Sequence, residues 1–299
     1  METGKKGAGK LPRKLLTILV LSAMTTSGLA TAQSNTGPNN IYIEQIGNQN
    51  TITIEQVGAS NQVGGTKTTA SLTLGSLASI YPIDTQGRIT GPATTAADRY
   101  TQSPESPSST NYGTIRGNQN VLGITQTGNS NSAQYNIMGN KNTYSSTVTG
   151  NENQTSLTIG VPQNGSTAGT DINEVSVTDT ILGNNNLVLQ NITGDNVTST
   201  TSITGNSNQV NANLSSARGT VSNTALGNYN IFNLEQRDAA GAAGHTLVLN
   251  TTGDFNSVVT QQQGTIDTNV NIATNGNNNT ITVRSSNATI VNPLTAVAR

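Results

Sequence analysis

Three kinds of side chain in this sequence could do chemistry: one imidazole, scattered carboxylates, and a great many amides and hydroxyls. His245 is the single histidine and there is no cysteine. Without thiols or a nearby acidic cluster it lacks the companions of a metal centre or an acid–base pair. Beside Thr246, at a loop-to-strand boundary, it reads as a surface side chain. Asp and Glu occur singly, with no pair at regular spacing, and no Gly- and Asp-rich calcium-binding nonapeptide is present. "GGTK" at Gly64 lacks the rest of a phosphate-loop pattern. Ser and Thr are too abundant for one nucleophile to stand out. The N-x-[ST] triplets at Asn153, Asn191, Asn213 and Asn287 are what an Asn- and Thr-rich chain produces by chance. No catalytic constellation emerges, so the sequence points to a non-enzyme with no cofactor, metal or small-molecule substrate. What remains is the chemistry of amides, each of which both donates and accepts hydrogen bonds.

Those amides are placed at a fixed interval. The stretch "IEQIGNQNTITIEQVG" runs from Ile43 to Gly58 and repeats its Glu-Gln pair after eleven residues. "G-N-x-N" starts at Gly47, Gly117, Gly128, Gly139, Gly150, Gly183, Gly205, Gly227 and Gly276, with weaker copies at Gly194 and Gly253; Gly58 opens a further unit. From Gly117 to Gly227 these starts keep phase with a period of eleven, which reads as an array without insertions. Counting from the glycine, the fourth place is Asn50, Asn61, Asn120, Asn131, Asn142, Asn153, Asn164, Asn186, Asn208, Asn230, Asn256 and Asn279. The sixth and eighth places are often apolar, as in Ile52 with Ile54 and Leu122 with Ile124. The tenth is Gln (Gln45, Gln56, Gln126, Gln236, Gln262) or aliphatic (Ile137, Val148, Ile159, Ile192, Ile203).

Places four, six, eight and ten differ by two, so in a strand they share one face. Gly and Asn at the start tolerate the positive φ of a tight turn. Each unit is then one turn and one short strand, and two units make a strand–turn–strand rung of 22 residues. One strand cannot bury its face alone, whereas stacked rungs can. The expected fold is all-β: a β-solenoid with cross-β spacing, in which Asn and Gln at the inward places bond to their equivalents on the next rung. Composition agrees. Hydrophobic residues are 32% and charged residues 10%, too apolar-poor for an ordinary globular core. The chain is nevertheless rich in strand-favouring Thr, Val and Ile.

Residues 1–32 carry Lys5, Lys6, Lys10, Arg13 and Lys14, then "LLTILVLSA", then Ala30-Thr31-Ala32. This is the pattern of a cleaved secretory signal peptide. Its removal takes five of the 14 basic and one of the 15 acidic residues, leaving nine against 14 and a net charge near −5. Such a balance argues against a nucleic-acid partner. Residues 33–61 hold the first repeats. Residues 62–116 include Pro82, Pro92, Pro104 and Pro107 and read as an irregular insertion, in which "TASLTLGSLASI" could form a strand or two. Residues 117–299 hold the main array, broken by a loop at "DAAGAAGH".

Gln45, Asn50 and Gln56 match the last three fixed positions of the curli repeat Ser-x5-Gln-x4-Asn-x5-Gln, with Asn39 in the place of Ser. "YIEQIGNQN" resembles a repeat of the minor, nucleating curli subunit, and Gln126 with Asn131 continues the pattern more weakly. The chain therefore resembles the curli subunits, exported bacterial proteins that form amyloid fibres. The resemblance implies a secreted, extracellular, self-polymerising subunit. Its partners would be further copies of itself, a related subunit or nucleator, and an outer-membrane secretion apparatus. It also implies structural, not catalytic, roles for the Asn and Gln places. Two other readings are a monomeric β-solenoid adhesin that binds a surface or glycan, and an ice-binding solenoid. The latter calls for T-x-T at one place in every rung. Thr51–Thr53 and Thr280–Thr282 supply it, but other units put Ser, Leu, Gln or Tyr there.

Overall fold

A computed structural model describes residues 37–66, 111–160, 171–215, 217–237 and 244–286. The expected signal peptide, the Pro-rich part of the insertion, Asn164, Pro162 and most of "DAAGAAGH" lie outside these residues.

Among the described residues every regular element is a strand. They form two large parallel sheets and one small antiparallel pair. Sheet I has eight strands: Thr51–Val57, Val121–Thr127, Thr143–Thr149, Ser176–Leu182, Thr198–Thr204, Thr220–Leu226, Thr246–Thr252 and Asn269–Asn275. Sheet II runs from Asn40–Ile41 and Glu44–Ile46 at one end, through Ser132–Met138, Gln154–Ile159, Leu187–Ile192, Gln209–Leu214, Ile231–Arg237 and Ser257–Gln263, to Thr280–Ser286 at the other. The chain alternates between the sheets, so one strand of each makes a rung, and the result is a β-solenoid of about 8 turns. The expectation of two eleven-residue units per rung is met: Thr198 pairs with Thr220 and Gln209 with Ile231, each 22 residues on.

The inward places are those the repeat indicates. Leu122, Ile124 and Gln126 on sheet I, and Val210, Ala212 and Leu214 on sheet II, are all buried and face the common core. Outward residues of sheet I alternate with them and are exposed or half-buried. Sheet II differs. Leu187, Leu189, Gln209, Val259 and Gln261 point away from the core by the same alternation, yet all are buried. The open face of the solenoid is that of sheet I.

The array is not free of insertions. Successive hydrogen-bonded equivalents of Asn131 lie 22 residues away at Asn153, but then 33 away at Asn186. The difference is eleven, one unit, so the insertion leaves the phase of the sequence unchanged and is invisible to a search by period. It falls after Ile159, and Ile172, not a glycine, takes the place that stacks on Gly139. Later steps of 26 and 23 residues show further insertions of four and one. Residues 62–116 are likewise not one irregular block. Gln62–Val63 pairs with Ser132–Ala133, and Thr114–Arg116 pairs with Asn136–Met138 of the same neighbouring strand. Gly64 and Gly113 fill the two places between them, each donating its N–H to that strand. One strand of the solenoid is thus cut in the middle, and residues 65–112 leave it through an antiparallel pair, Gly65 opposite Tyr112 and Thr66 opposite Asn111.

Candidate functional site: the corners and the end rungs

Each corner is built from four residues. The glycine has φ between 114° and 140° at Gly47, Gly58, Gly117, Gly128, Gly139, Gly150, Gly183, Gly205, Gly227 and Gly276. A side chain is excluded there for a second reason. A Cβ on Gly205 would lie 1.9 Å from the carbonyl oxygen of Gly227 on the next rung. The third residue of the corner sits in the left-handed region, at φ 56–60° in Ser130, Ser207 and Lys141. That conformation strains an L-residue by roughly 1–2 kcal/mol, so the corner must be held by other interactions.

The fourth-place asparagines hold it. On the corner that leads from sheet I into sheet II they form an unbroken column: Asn39, Asn61, Asn131, Asn153, Asn186, Asn208, Asn230, Asn256 and Asn279. Asn208 shows the pattern. Its N–H and Nδ2 both donate to Asn186 Oδ1, at 2.9 and 3.1 Å, and Nδ2 also donates to the Gly227 carbonyl at 2.8 Å. Its own Oδ1 accepts the N–H of Asn230 at 3.0 Å. One amide thus touches three rungs. The second-place residues form another column with the opposite sense. Asn184 donates forward to Asn206 Oδ1, and Asn206 donates forward to Asn228 Oδ1. The two columns of dipoles oppose one another along the solenoid. Asp254 ends side-chain donation in the outer column, because a carboxylate accepts from Asn228 but passes on only its backbone N–H.

The other corner, from sheet II into sheet I, behaves differently. Asn50, Asn120 and Asn142 form the inner column, and Asn142 Oδ1 then accepts the N–H of Val175. Beyond it the same place is held by Val197, Gly219, His245 and Thr268, each accepting from the first residue of a sheet I strand. The asparagines stop where the eleven-residue insertion enters, and the insertions of four and one enter at this corner too.

His245 is therefore not a surface side chain. It is fully buried, and its Nδ1 accepts the N–H of Thr268 at 3.2 Å, as a ladder Asn would. Nε2 then carries the proton and donates to the Arg237 carbonyl at 2.9 Å. The sequence signal was present: His245 lies where the fourth place falls once four inserted residues are allowed.

The glutamines do not form one continuous column. Gln56 Nε2 donates to Gln126 Oε1, and Gln236 Nε2 to Gln262 Oε1, both at 2.9 Å. Each pair spans one rung step, on sheet I near one end and on sheet II near the other. Gln45 stands opposite Ile115 and is exposed. A buried group that period alone did not mark is Asp179, which faces the core from sheet I. Gln190 Nε2 donates to it at 2.6 Å, and Ser199 Oγ donates to Gln190 Oε1 at 2.6 Å. Burial raises the Asp179 carboxyl to about 7, and hydrogen bonds from Tyr144, Gln190 and Thr201 offset this only in part. No group of three or more His, Asp or Glu side chains suited to a metal occurs among the described residues.

The end rungs differ from those between them. Among the described residues, the aliphatics that pack on the core while only partly buried are Ile41, Ile52 and Ile54 at one end and Val270, Ile281 and Val283 at the other. Among the described residues Gly276 has no next glycine to stack on, and a Cβ there would meet the Nδ2 of its own corner's Asn279.

The fold and its corners define a two-sheet, parallel β-solenoid repeat protein. Comparison of the chain with family models, curated proteins and solved structures gave no match to any of them.

Proposed function

We propose that the protein is an exported structural subunit of a curli-like amyloid fibre, of the kind found in biofilm matrix and surface adhesion. Copies stack head to tail by strand addition at their end rungs. The observation that carries this reading is the matched pair of end rungs, whose core aliphatics are only partly buried among the described residues. One end offers Ile41, Ile52 and Ile54, the other Val270, Ile281 and Val283, all only partly buried although their equivalents one rung inward, such as Leu122 and Leu247, are buried. Apolar core surface at a sheet end favours the addition of further strands. The asparagine column supports the same register. Asn279 repeats the placement of Asn256, so its Oδ1 would receive the N–H and Nδ2 of Asn39 from the next copy. A signal peptide over 1–32 would deliver the chain for export, through an outer-membrane apparatus and with a related subunit as nucleator. The role is structural, without catalysis or cofactor.

The test is dilution of residues 33–299 from denaturant, with thioflavin fluorescence followed with and without seeds, and fibre diffraction of the product. A lag abolished by seeds, with reflections near 4.7 and about 10 Å, is expected. Ile281→Lys with Val283→Lys should block elongation. A β-rich chain that stays monomeric at high concentration and ignores seeds would overturn the reading in favour of a monomeric adhesin.

A further inference from the structure

The outward face of sheet I carries a two-dimensional array that the sequence hides. Because the chain alternates between sheets, every second unit contributes to this face. Its four central strands present Thr143, Ser145, Thr147 and Thr149; Ser176, Thr178, Thr180 and Leu182; Thr198, Thr200, Ser202 and Thr204; and Thr220, Ser222, Thr224 and Leu226. The strands are in parallel register, with Thr178 beside Thr200 and Thr200 beside Ser222. The ranks therefore repeat at about 4.8 Å across the strands and roughly 6.6 Å along them. None of these sixteen side chains is charged. The residues that interrupt T-x-T in the unit series include Gln154, Leu187 and Gln209, which lie on sheet II and so belong to another face.

We infer that this face binds an ice lattice. Three properties favour a crystalline, uncharged, hydrogen-bonding partner. The array is free of charge, so it does not select an ionic surface. Threonine has a stiff χ1, so its hydroxyl and methyl are held at fixed points before binding. Each contact is weak, and many made in register on a repeating solid add through multivalency. A second solenoid face is a poorer fit, because pressing two such faces together would bury hydroxyls without assured partners. A flexible glycan is also a poorer fit. The exposed aromatics Tyr229 and Phe255 stand on the corner, not on the array, and stack on each other at 4.9 Å. This inference is independent of the fibre reading, since the face lies on the flank of one copy.

The experiment uses residues 33–299 refolded and shown by sedimentation to be monomeric, and in parallel its assembled form if one arises. Partition into slowly grown ice and thermal hysteresis are measured for the unaltered chain, Thr200→Tyr and Ser207→Tyr. Thr200→Tyr keeps a strand-favouring residue but breaks the rank. Ser207→Tyr is the fold control, because Tyr229 occupies the equivalent corner place one rung on, with the same φ. Expected are ice enrichment and hysteresis in the unaltered chain and in Ser207→Tyr, and loss of both in Thr200→Tyr with an unchanged β spectrum. No enrichment of the unaltered chain above a carrier protein overturns the inference, as does full retention by Thr200→Tyr. Binding of an insoluble polysaccharide, but not ice, that Thr200→Tyr abolishes also overturns it and gives the face to a glycan. Side-by-side dimers abolished by the same change, without ice binding, give it to a second copy.

Discussion

His245 stands in for an asparagine: its Nδ1 takes the backbone N–H of Thr268, 3.2 Å away, in the place where Asn142 Oδ1 takes the N–H of Val175. His245→Asn should therefore be tolerated, because it restores the ladder acceptor. His245→Ala leaves the part-buried Thr268 N–H without this acceptor, a loss of about 1 kcal/mol or a little more. Denaturant midpoints of the two variants check this. Equal loss in both would show that the ring matters for its volume and not for its nitrogen.

The corner column makes its own prediction. Asn208→Ala removes bonds to Asn186, Gly227 and Asn230 at once and should destabilise the fold by about 2–4 kcal/mol. Asn208→Asp should do comparable harm at neutral pH, since a carboxylate would face the Asn186 Oδ1 and the Gly227 carbonyl. Gly205→Ala should be worse than either, with a Cβ driven toward the next carbonyl at a φ of 135°. Thermal unfolding of the three variants gives the order. An alanine at 205 that folds as well as the native glycine would contradict the stacked-corner account.

Asp179 sets a pH dependence whose sign follows from burial. Its carboxyl titrates at about 7 when folded against 3.8 as the ordinary value. The folded state holds the proton more tightly, so this group's contribution is complete below about pH 4 and is lost as pH rises to about 7. The loss amounts to a few kcal/mol. Asp179→Asn should flatten that slope. Urea midpoints at several pH values would test it, and a slope that persists in the asparagine variant would assign the effect elsewhere.

Removal of residues 65–112, joining Gly64 to Gly113, should leave the solenoid folded. The join restores eleven residues from Gly58 to Gly117 and spares the closure of a 48-residue loop, worth about 3 kcal/mol of chain entropy. Circular dichroism and protease resistance read the outcome. A collapse of the β signal would mean that the split strand cannot close on its own.

Much of this was legible in the sequence. Ile52, Ile54, Leu122 and Ile124 announced the inward face, and Gly205 with Asn208 announced the corner, because strand alternation and left-handed turns each restrict residue type. Two things were not legible. An insertion of one whole unit after Ile159 preserves the period, so counting could not find it. The assignment of alternate units to two sheets is a tertiary fact, and without it Thr200 and Asn211 look like members of one series. The burial of His245 is hidden for a different reason, since four inserted residues move it out of phase.

The cut strand has a consequence for engineering. The backbone leaves at Gly64 and returns at Gly113, with Gly65 and Tyr112 paired just outside. The solenoid thus carries a socket: two chain ends side by side, already fixed to a rigid wall. Any domain whose own termini are neighbours could be plugged in there. If copies stack as proposed, about 8 turns each, the sockets would recur roughly every 40 Å at a rung spacing near 4.8 Å. The filament would then be a ruler for displaying cargo.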